Sequence, residues 1–597
     1  MRPFHYCLHK GGHFKTGSKG VAVLGEHALA ELLAALGKLH GQVREVSLSL
    51  ETPDVATARE RHAEVLDQLS DYILPRLVQL EAPLLTVVGG STGAGKSTLV
   101  NSLVGERVTE SGVLRPTTRS PVLAHNPADS HWFQPDRILP ELPRTSTPTN
   151  DTYALRLAPS NLVPPGLAIL DAPDVDSIDR GNRELAAQLL AAADLWLFVT
   201  SAARYADQVP WNYLKAAAER STAVAVVLDR TQPDAVDEVR GHLARMMTSR
   251  GLSDSPLFTV PESGVDSEGL LPKSAVADIS RWLRDLAADV DARTAVITQT
   301  LDGAIRQNVF HAHDIADAMD EQRDAAAQLQ SDVDGSYRQA TERIMAATSD
   351  GSLLRGEVLA RWQDFVGTGE LLRSVEEKVG RIRDRLVDGF SGKRTRSNEV
   401  SEAVEHGLHL LLLEHAESAA EATARSWGST QPGRALLETN RGLDRASRDF
   451  RAKAERTVRD WQQFVLELVR TEGADKRMTA RFLAFGVNGI GVALMVVMFS
   501  HTAGLTGGEA GVAGGTALIG QKLLEAVFGD QAVRRLAQEA RDDLQKRVAT
   551  LLDAEKQRYL QLLESPGDIE ASQSALRDAA RKAEYARHTD FLDGADV

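Results

Sequence analysis

The chain has 597 residues, of which 43% are hydrophobic and 25% charged, which excludes a largely disordered protein and allows large buried cores. Its formal net charge of −15 argues against a general nucleic-acid binder, because neutralising phosphates needs a basic face. The single cysteine, Cys7, excludes a disulfide framework and a thiolate-rich metal site, and the basic start lacks the apolar run of a signal peptide. We therefore expect a cytoplasmic protein.

The first 81 residues precede the strand patterns. Residues 1–25 are rich in Gly, His and Lys without periodicity, which indicates a mobile N-terminal segment. Residues 26–81 carry leucines at helical spacing, with a break around Pro53. This pattern predicts two helices that join a helical neck or stalk.

Residues 82–290 alternate strand and helix patterns. The apolar run Pro83–Val88 ends in glycines and opens onto a helical pattern at Lys96. The other predicted strands are Val122–His125, Tyr153–Leu157, Leu167–Leu170, Leu195–Val199, Ala223–Leu228 and Leu257–Val260. Because helical stretches separate most of these strands, the pattern predicts one α/β domain with a mostly parallel sheet.

Beyond residue 290 the strand patterns end and long amphipathic helices follow. Ile315 and Met319, for example, lie four residues apart on one apolar stripe. We predict a helical stalk over 291–480, a returning stalk helix over 530–565 and a polar C-terminal tail over 566–597. The helical blocks together predict an elongated α-helical bundle or stalk with coiled-coil character.

The segment 481–529 lies between the last two helical blocks and contains an apolar run. Phe482–Ser500 holds 19 residues without a charge, which as a helix would measure about 28 Å, close to the roughly 30 Å of a bilayer core. Thr516–Phe528 is apolar but amphipathic. Basic residues flank the pair, namely Lys476, Arg477, Arg481, Arg534 and Arg535. We predict an apolar helical hairpin at the tip of the stalk that crosses or dips into a membrane, with both ends cytoplasmic. The alternative is a hairpin buried within the bundle.

Residues 90–97 fit the phosphate-binding pattern G-x-x-x-x-G-K-[ST] without a mismatch. The glycines let backbone N–H groups curl around a β-phosphate, Lys96 would bridge the β- and γ-phosphates, and the Ser97 hydroxyl would bind Mg²⁺. The predicted nucleotide-binding residues in this loop are Gly90, Ser91, Thr92, Gly93, Ala94, Gly95, Lys96, Ser97 and Thr98. The α/β domain is therefore predicted to be a P-loop domain.

Two further motifs complete the predicted phosphate site. The apolar strand Leu167–Leu170 is followed by Asp171, which is placed to hold Mg²⁺ through water. Asp174 stands where the D-x-x-G pattern of GTPases has glycine. The loop Arg115–Pro121 carries Thr118 about 20 positions after Lys96, which suits a mobile switch that closes over Mg²⁺ and the γ-phosphate.

Base recognition has the weakest pattern of the site. After the strand Ala223–Leu228 comes an Asp-Arg-Thr-Gln segment, where many GTPases have [NT]-K-x-D. Asp229 and Arg230 are predicted to contact the nucleotide, the arginine stem packing on the base. The aspartate that reads guanine falls on Gln232, so Asp229 or Asp234 must replace it.

The motif order GSTGAGKS, RPTTRSP, DAPD and LDR resembles that of the dynamin superfamily, particularly bacterial dynamin-like GTPases of actinobacterial type. The segment TSAARYADQVPW (200–211) is similar to that group as well. The resemblance implies an α/β P-loop GTPase domain over 82–290. The residues that it implies for catalysis are Lys96, Thr118 and Asp171, with Ser97, Thr118 and Asp171 at Mg²⁺. The Gln-Ser pair of the dynamin phosphate loop falls on Thr92 and Gly93, a departure that puts the family's hydrolysis mechanism in question.

The resemblance also implies that GTP hydrolysis is coupled to membrane binding and remodelling, in fission, fusion or cell division, at the cytoplasmic face of the cell membrane. The GTPase domains would pair as a homodimer, or with a hetero-partner of the same family. The alternative function is a membrane-anchored regulatory GTPase that signals through a protein partner without deforming lipid. A soluble ribosome-associated GTPase is disfavoured, because the sequence has no basic RNA-binding domain.

Overall fold

The structure of the chain is a computed structural model, which describes the following residues. They are 8–9, 13–14, 26–110, 120–135, 137–140, 142–147, 149, 151–177, 179–219, 222–354, 356–366, 390–475, 480–500 and 512–591. Thr118, Lys476, Arg477 and most of the predicted mobile segment 1–25 lie outside these residues.

The chain forms two compact units. The first contains residues 1–48, 54–320 and 570–597, and the second contains residues 49–53 and 321–569. Most of the predicted neck segment 26–81 therefore groups with the sheet.

The first unit is built around a mostly parallel sheet. The strands are β1 Leu8–His9, β2 His13–Phe14, β3 Leu84–Gly90, β4 Val122–His125, β5 Arg144–Thr145, β6 Leu155–Pro159, β7 Leu167–Asp171, β8 Leu195–Ser201, β9 Ala223–Thr231 and β10 Leu257–Pro261. Strands β1 and β2 form a small antiparallel pair. The other eight described strands form one sheet in the order β10-β9-β8-β3-β7-β4-β6-β5, parallel except where β4 meets β7.

Helices make up most of the remaining described chain. The α-helices are α1 Glu26–Arg44, α2 Val55–Asp67, α3 Leu74–Val78, α4 Lys96–Val104, α5 Arg180–Ala191, α6 Gln208–Glu219, α7 Val236–Ser249, α8 Ala277–Ala288, α9 Val290–Ala347, α10 Glu357–Val366, α11 Phe390–Gly428, α12 Gln431–Thr439, α13 Phe450–Asp475, α14 Ala480–Phe499, α15 Val512–Phe528, α16 Asp530–Leu560 and α17 Pro566–Phe591. A π-helix covers Gln68–Ile73, and 3₁₀ turns cover Pro127–Phe133 and Ser352–Leu354.

The central strands position the loop that carries the predicted phosphate-binding motif. Every residue of β3, β7 and β8 is buried, which explains their continuous apolar runs, since both faces of a parallel sheet are covered. Val88 of β3 lies opposite Asp171 of β7, and Gly90 lies opposite Val199 of β8. The carboxyl ends of the three strands thus meet at one edge, where the loop after β3 begins.

A buried ion pair connects α3 to the sheet. Arg76 Nη2 lies 2.8 Å from Asp194 Oδ2, and the two side chains are only 3% and 1% exposed. Asp194 also accepts hydrogen bonds from the Leu85 N–H at 2.8 Å and the Tyr72 hydroxyl at 3.2 Å. Arg76 donates to the carbonyl oxygens of Gln79, Ala82 and Pro83. Both charges are therefore fully compensated inside the protein.

The second unit is a helical bundle with an aromatic core. Trp427, Trp461 and Tyr559 are fully buried, and their polar atoms are all satisfied by backbone carbonyls. The ring of Trp461 packs against Phe499, with 5.6 Å between the ring centroids. The predicted fold class, an α/β P-loop domain with a mostly parallel sheet plus an α-helical bundle, is confirmed.

The C-terminal half of the predicted apolar run is buried among protein helices, whereas we predicted that it contacts a membrane. Ile490 and residues 492–499 of α14 are at most 5% exposed, because α14 packs against α11, α13, α15 and α16. The contact with α13 is so close that a Cβ at Gly491 would lie 2.5 Å from Leu466. For this half of the run, the described structure corresponds to the buried alternative.

Two further sequence predictions are tested by the described helices. Among the residues that the structure describes, no helix combines the length and apolar character needed to cross a membrane. Residues 566–591, predicted as part of a polar tail, form the helix α17.

Candidate nucleotide site

The loop between β3 and α4 has a backbone that only glycine adopts easily. Gly90 has φ +145°, and a Cβ there would collide with the carbonyl oxygen of Val199. Gly95 has φ +95°, and a Cβ there would collide with the carboxylate of Asp229. The two glycines thus allow the loop to turn tightly between strand and helix. The N-terminus of α4 begins directly after the loop, at Lys96, as an anion site requires.

The side chain of Lys96 folds over this loop and contacts its backbone. Its side chain is 5% exposed, and its ammonium donates to the carbonyl oxygens of Gly90 and Ser91 at 3.0 Å each. The same ammonium forms an ion pair with Asp174. Lys96 is therefore preorganised over the position where a phosphate would be surrounded by the loop.

A second carboxylate contacts the loop from the same segment. Asp176 Oδ1 accepts hydrogen bonds from the Thr92 N–H at 2.6 Å and the Thr92 hydroxyl at 2.7 Å. Its other oxygen accepts from Arg204 Nη1 at 2.6 Å. Nothing in the DAPDVDS segment alone singles out Asp176, and sequence reasoning missed both it and Arg204.

Asp171 lies at the end of β7, beside the loop, and is fully buried. Burial raises the pKa of its carboxyl, while hydrogen bonds from Ser97 and Thr109 and the charge of Lys96 lower it in part. Thr109 Oγ1 donates to Asp171 Oδ2 at 2.8 Å, and Oδ1 has no hydrogen-bond partner within the described chain. A buried carboxylate oxygen without a partner next to Ser97 fits a hydrated Mg²⁺. Ser97 and Asp171 are thus the described residues that would hold it.

Thr109 is positioned by the helix after the phosphate loop. Asn101 of α4 accepts hydrogen bonds from the N–H groups of Val108 and Thr109 at 2.9 Å and donates to the Thr109 carbonyl at 2.9 Å. Thr109 is 3% exposed. Sequence reasoning did not identify this threonine. The predicted switch residue, Thr118, lies outside the described residues and stays a prediction.

The predicted base-binding segment follows β9. Asp229 lies against Gly95, and burial raises the pKa of its carboxyl to about 6. Arg230 has a left-handed backbone with φ +54° and its Nε also lies near Gly95. Gln232 is exposed and donates its side-chain amide to the carboxylate of Glu262, which follows β10. Like Asp176, Arg204 and Thr109, Glu262 was not considered in the sequence analysis.

The structure thus brings most predicted site residues together around one loop. Residues 90–98, Asp171 and Asp229 meet at the carboxyl edge of β3, β7 and β9. Asp234 is exposed on the turn before α7.

The chain is similar to one curated protein over a short segment and to several solved structures. No family model matches the chain. A segment of 142 residues is 27% identical to "Probable transmembrane GTPase FZO-like, chloroplastic" of Arabidopsis thaliana. The segment covers 24% of this chain and 14% of that protein. Two solved structures cover 94% and 95% of this chain. Both are described as an oligomerised bacterial dynamin pair that provides a mechanism for the long-range sensing and tethering of membranes.

These two neighbours are 11% and 12% identical to the chain and have TM-scores of 0.39 and 0.38; all of each is covered. The LeoA bacterial dynamin GTPase from ETEC covers 96% of the chain and is itself 99% covered, at 10% identity and a TM-score of 0.23. The predicted resemblance to dynamin-like GTPases is confirmed. The matched segment spans about a seventh of the curated relative's length.

Proposed function

We propose that the chain is a dynamin-like GTPase that binds GTP and hydrolyses it with Mg²⁺. The observation that carries the proposal is the arrangement at the carboxyl edge of the sheet: a glycine loop in left-handed conformation, Lys96 held over it, and buried Asp171 on the neighbouring strand. A site of this kind binds phosphates through backbone N–H groups and a single lysine charge.

Each residue has a distinct role in this proposal. Mg²⁺, when bound, would neutralise charge on the β- and γ-phosphates. Ser97 and Asp171 would orient it, with Asp171 acting through a Mg²⁺-bound water. Lys96 would exchange its contact with Asp174 for phosphate oxygens, which is favourable because charge-assisted hydrogen bonds to phosphate are strong. Thr118 is proposed to close over the γ-phosphate from the switch loop.

The first prediction tests the phosphate site itself. Lys96→Ala is expected to lower GTP affinity about 100-fold or to abolish binding, because the γ-phosphate loses its charged partner. Binding is measured by titration with a fluorescent GTP analogue and turnover by phosphate release. Lys273→Ala, at an exposed loop lysine, is the matched control and should behave as wild type. Wild-type binding and turnover in Lys96→Ala would refute the site.

The second prediction concerns the base. We infer that Gln232 and Glu262 form the guanine-reading pair, since both are exposed at the ends of neighbouring parallel strands and already share a hydrogen bond. A carboxylate can accept from both N1–H and the amino group of guanine, whereas adenine lacks this donor pair. Glu262→Ala should therefore reduce the preference for GTP over ATP about tenfold or more, measured by competition binding.

Two controls make this prediction sharp. Glu238→Ala removes an exposed carboxylate from α7 and should leave the preference unchanged. Asp234→Ala tests the exposed one of the two carboxylates that the sequence suggested, Asp229 and Asp234. If Asp234→Ala removes the preference and Glu262→Ala does not, the base is read by Asp234.

We further propose that GTP turnover is coupled to membrane association at the cytoplasmic face, through pairing of GTPase domains. The uncharged run 482–500 and its basic flanks support membrane contact. Because residues 492–499 lie in the bundle core, such contact would require α14 to leave its protein neighbours. A membrane-anchored regulatory GTPase is the alternative. Liposome tubulation or fusion in the presence of GTP separates the two, since the regulatory protein would bind liposomes without changing their shape.

A further inference from the structure

The strongest unexplained feature of the first unit is a chain of contacts that ends on the phosphate loop. Asp176 bridges the Thr92 N–H and the guanidinium of Arg204, with contact distances of 2.6 Å on both sides. Asp176 is 13% exposed and Arg204 is 39% exposed. The bridge is therefore largely buried at its carboxylate end and accessible at its arginine end.

The bridge occupies groups that a bound triphosphate would need. Backbone N–H groups of a glycine loop donate hydrogen bonds to phosphate oxygens. The carboxylate of Asp176 therefore occupies a position that a phosphate oxygen would take. Lys96 is in the same situation, because Asp174 neutralises it. A triphosphate and these two carboxylates would repel each other at contact distance. Asp174 and Asp176 therefore have to leave the loop when nucleotide binds.

If Asp176 left the loop, Arg204 would remain close to the Thr92 N–H, which would then be free to bind a phosphate oxygen. The arginine sits in a tight turn directly after β8, where its own N–H donates to the Ser201 carbonyl at 2.9 Å. Because β8 is the neighbour of β3, this turn is anchored next to the loop. Two further arginines lie in this region: Arg230 is near Gly95 on the side of Asp229, and Arg183 donates to the Ser177 carbonyl at 2.7 Å. Arg204, which also pairs with Asp207 at 3.8 Å, is distinguished by its ion pair with the carboxylate that binds Thr92.

We propose that Arg204 is the catalytic arginine of this GTPase, and that Asp176 holds it at the phosphate loop until GTP takes the place of the carboxylate. This inference rests on the proposed function. In the step, a water oxygen bonds to the γ-phosphorus while the bond from that phosphorus to the β–γ bridging oxygen breaks. The electron pair goes to GDP and the water proton goes to the released phosphate. Arg204 donates to the γ-phosphate oxygens as their negative charge shifts.

The test compares binding with turnover in the full chain. Arg204→Ala should lower kcat about 100- to 1000-fold, since arginines of this role contribute factors of about 10³–10⁵. Its affinity for GDP should stay within about threefold of wild type. Affinity for GDP with aluminium fluoride, which imitates the transferring phosphate, should be lost. Arg204→Lys should recover less than about a tenth of the turnover, because one ammonium does not replace a planar fork of donors.

Two further variants complete the set. Arg240→Ala removes an exposed arginine of α7 and is the matched control, with kcat and affinities as in wild type. Asp176→Asn removes the competing charge at nearly constant shape. It should tighten GTP binding about fivefold, equivalent to about 1 kcal/mol.

The outcomes distinguish this inference from the proposed function. If wild type hydrolyses GTP and Arg204→Ala keeps kcat within about threefold, Arg204 is not catalytic although the GTPase proposal stands. If Arg204→Ala loses GDP binding together with turnover, its role is structural and the inference fails. If wild type neither binds nor hydrolyses GTP, both proposals fail.

Discussion

Arg76→Ala is expected to destabilise the first unit by about 3–5 kcal/mol, because it leaves Asp194 as an unpaired buried charge. The Asp194 side chain is 1% exposed and would keep only the Leu85 N–H and the Tyr72 hydroxyl as partners. Urea denaturation of the full chain, with hydrogen exchange of peptides from β3 and β8, measures the loss where it occurs. Exchange protection in both strands should fall together.

Two milder substitutions give reference values for the free energy of unfolding. Tyr72→Phe removes one hydrogen bond of 3.2 Å and should cost about 1 kcal/mol. Arg281→Ala breaks an exposed pair with Asp278 and should cost less than about 1 kcal/mol. If Arg76→Ala costs no more than Arg281→Ala, water reaches Asp194 and the pair is not a structural anchor.

Val496→Asp is expected to destabilise the helical bundle by about 4 kcal/mol or more, because Val496 is 1% exposed and lies among the buried apolar side chains of α14. Val496→Ala should cost about 2 kcal/mol, which separates lost volume from buried charge. Leu410→Asp, at a bundle position that is 46% exposed, is the surface control. Hydrogen exchange of peptides from α13 and α14 reports the effect.

The same variant separates the two interpretations of the apolar run. If α14 is bundle core, Val496→Asp loses helical signal and exchange protection in the second unit, while GTP binding by the first unit persists. If α14 is a lipid-facing anchor, the variant stays folded and is released from membranes. The second result would overturn the packing described for residues 492–499.

The sequence was informative where one physical pattern dominated. Buried parallel strands such as β3 and β8 appear as unbroken apolar runs, so they were predicted close to their observed bounds. Helix α17 was not predicted, because its buried stripe is largely alanine, at Ala579, Ala580 and Ala583, and contrasts weakly with its polar face. The strand Arg144–Thr145 has two residues and no apolar pattern at all.

The candidate site also contains residues that the sequence predicted and residues that it did not. The phosphate loop was predictable because its glycines are needed for the backbone itself, at Gly90 and Gly95. Thr109, Asp176, Arg204 and Glu262 lie between the regular elements. Only the fold brings them to their respective partners, which are Asp171, Thr92, Asp176 and Gln232. No local spacing predicts such an encounter. For the apolar run, hydropathy measures only the side chains and not the partners that cover them, so a core helix and a membrane span look alike.

The buried position of α14 has a consequence for synthesis. Two of its neighbours, α11 and α13, precede it in the chain, but α16 ends about 60 residues after it, at Leu560. At roughly 5–20 residues per second, about 3–12 s pass before that neighbour is complete. During this interval an uncharged stretch of 19 residues has only part of its protein cover. We therefore expect the apolar side chains of α14 to stay accessible to other apolar surfaces until α16 has been made.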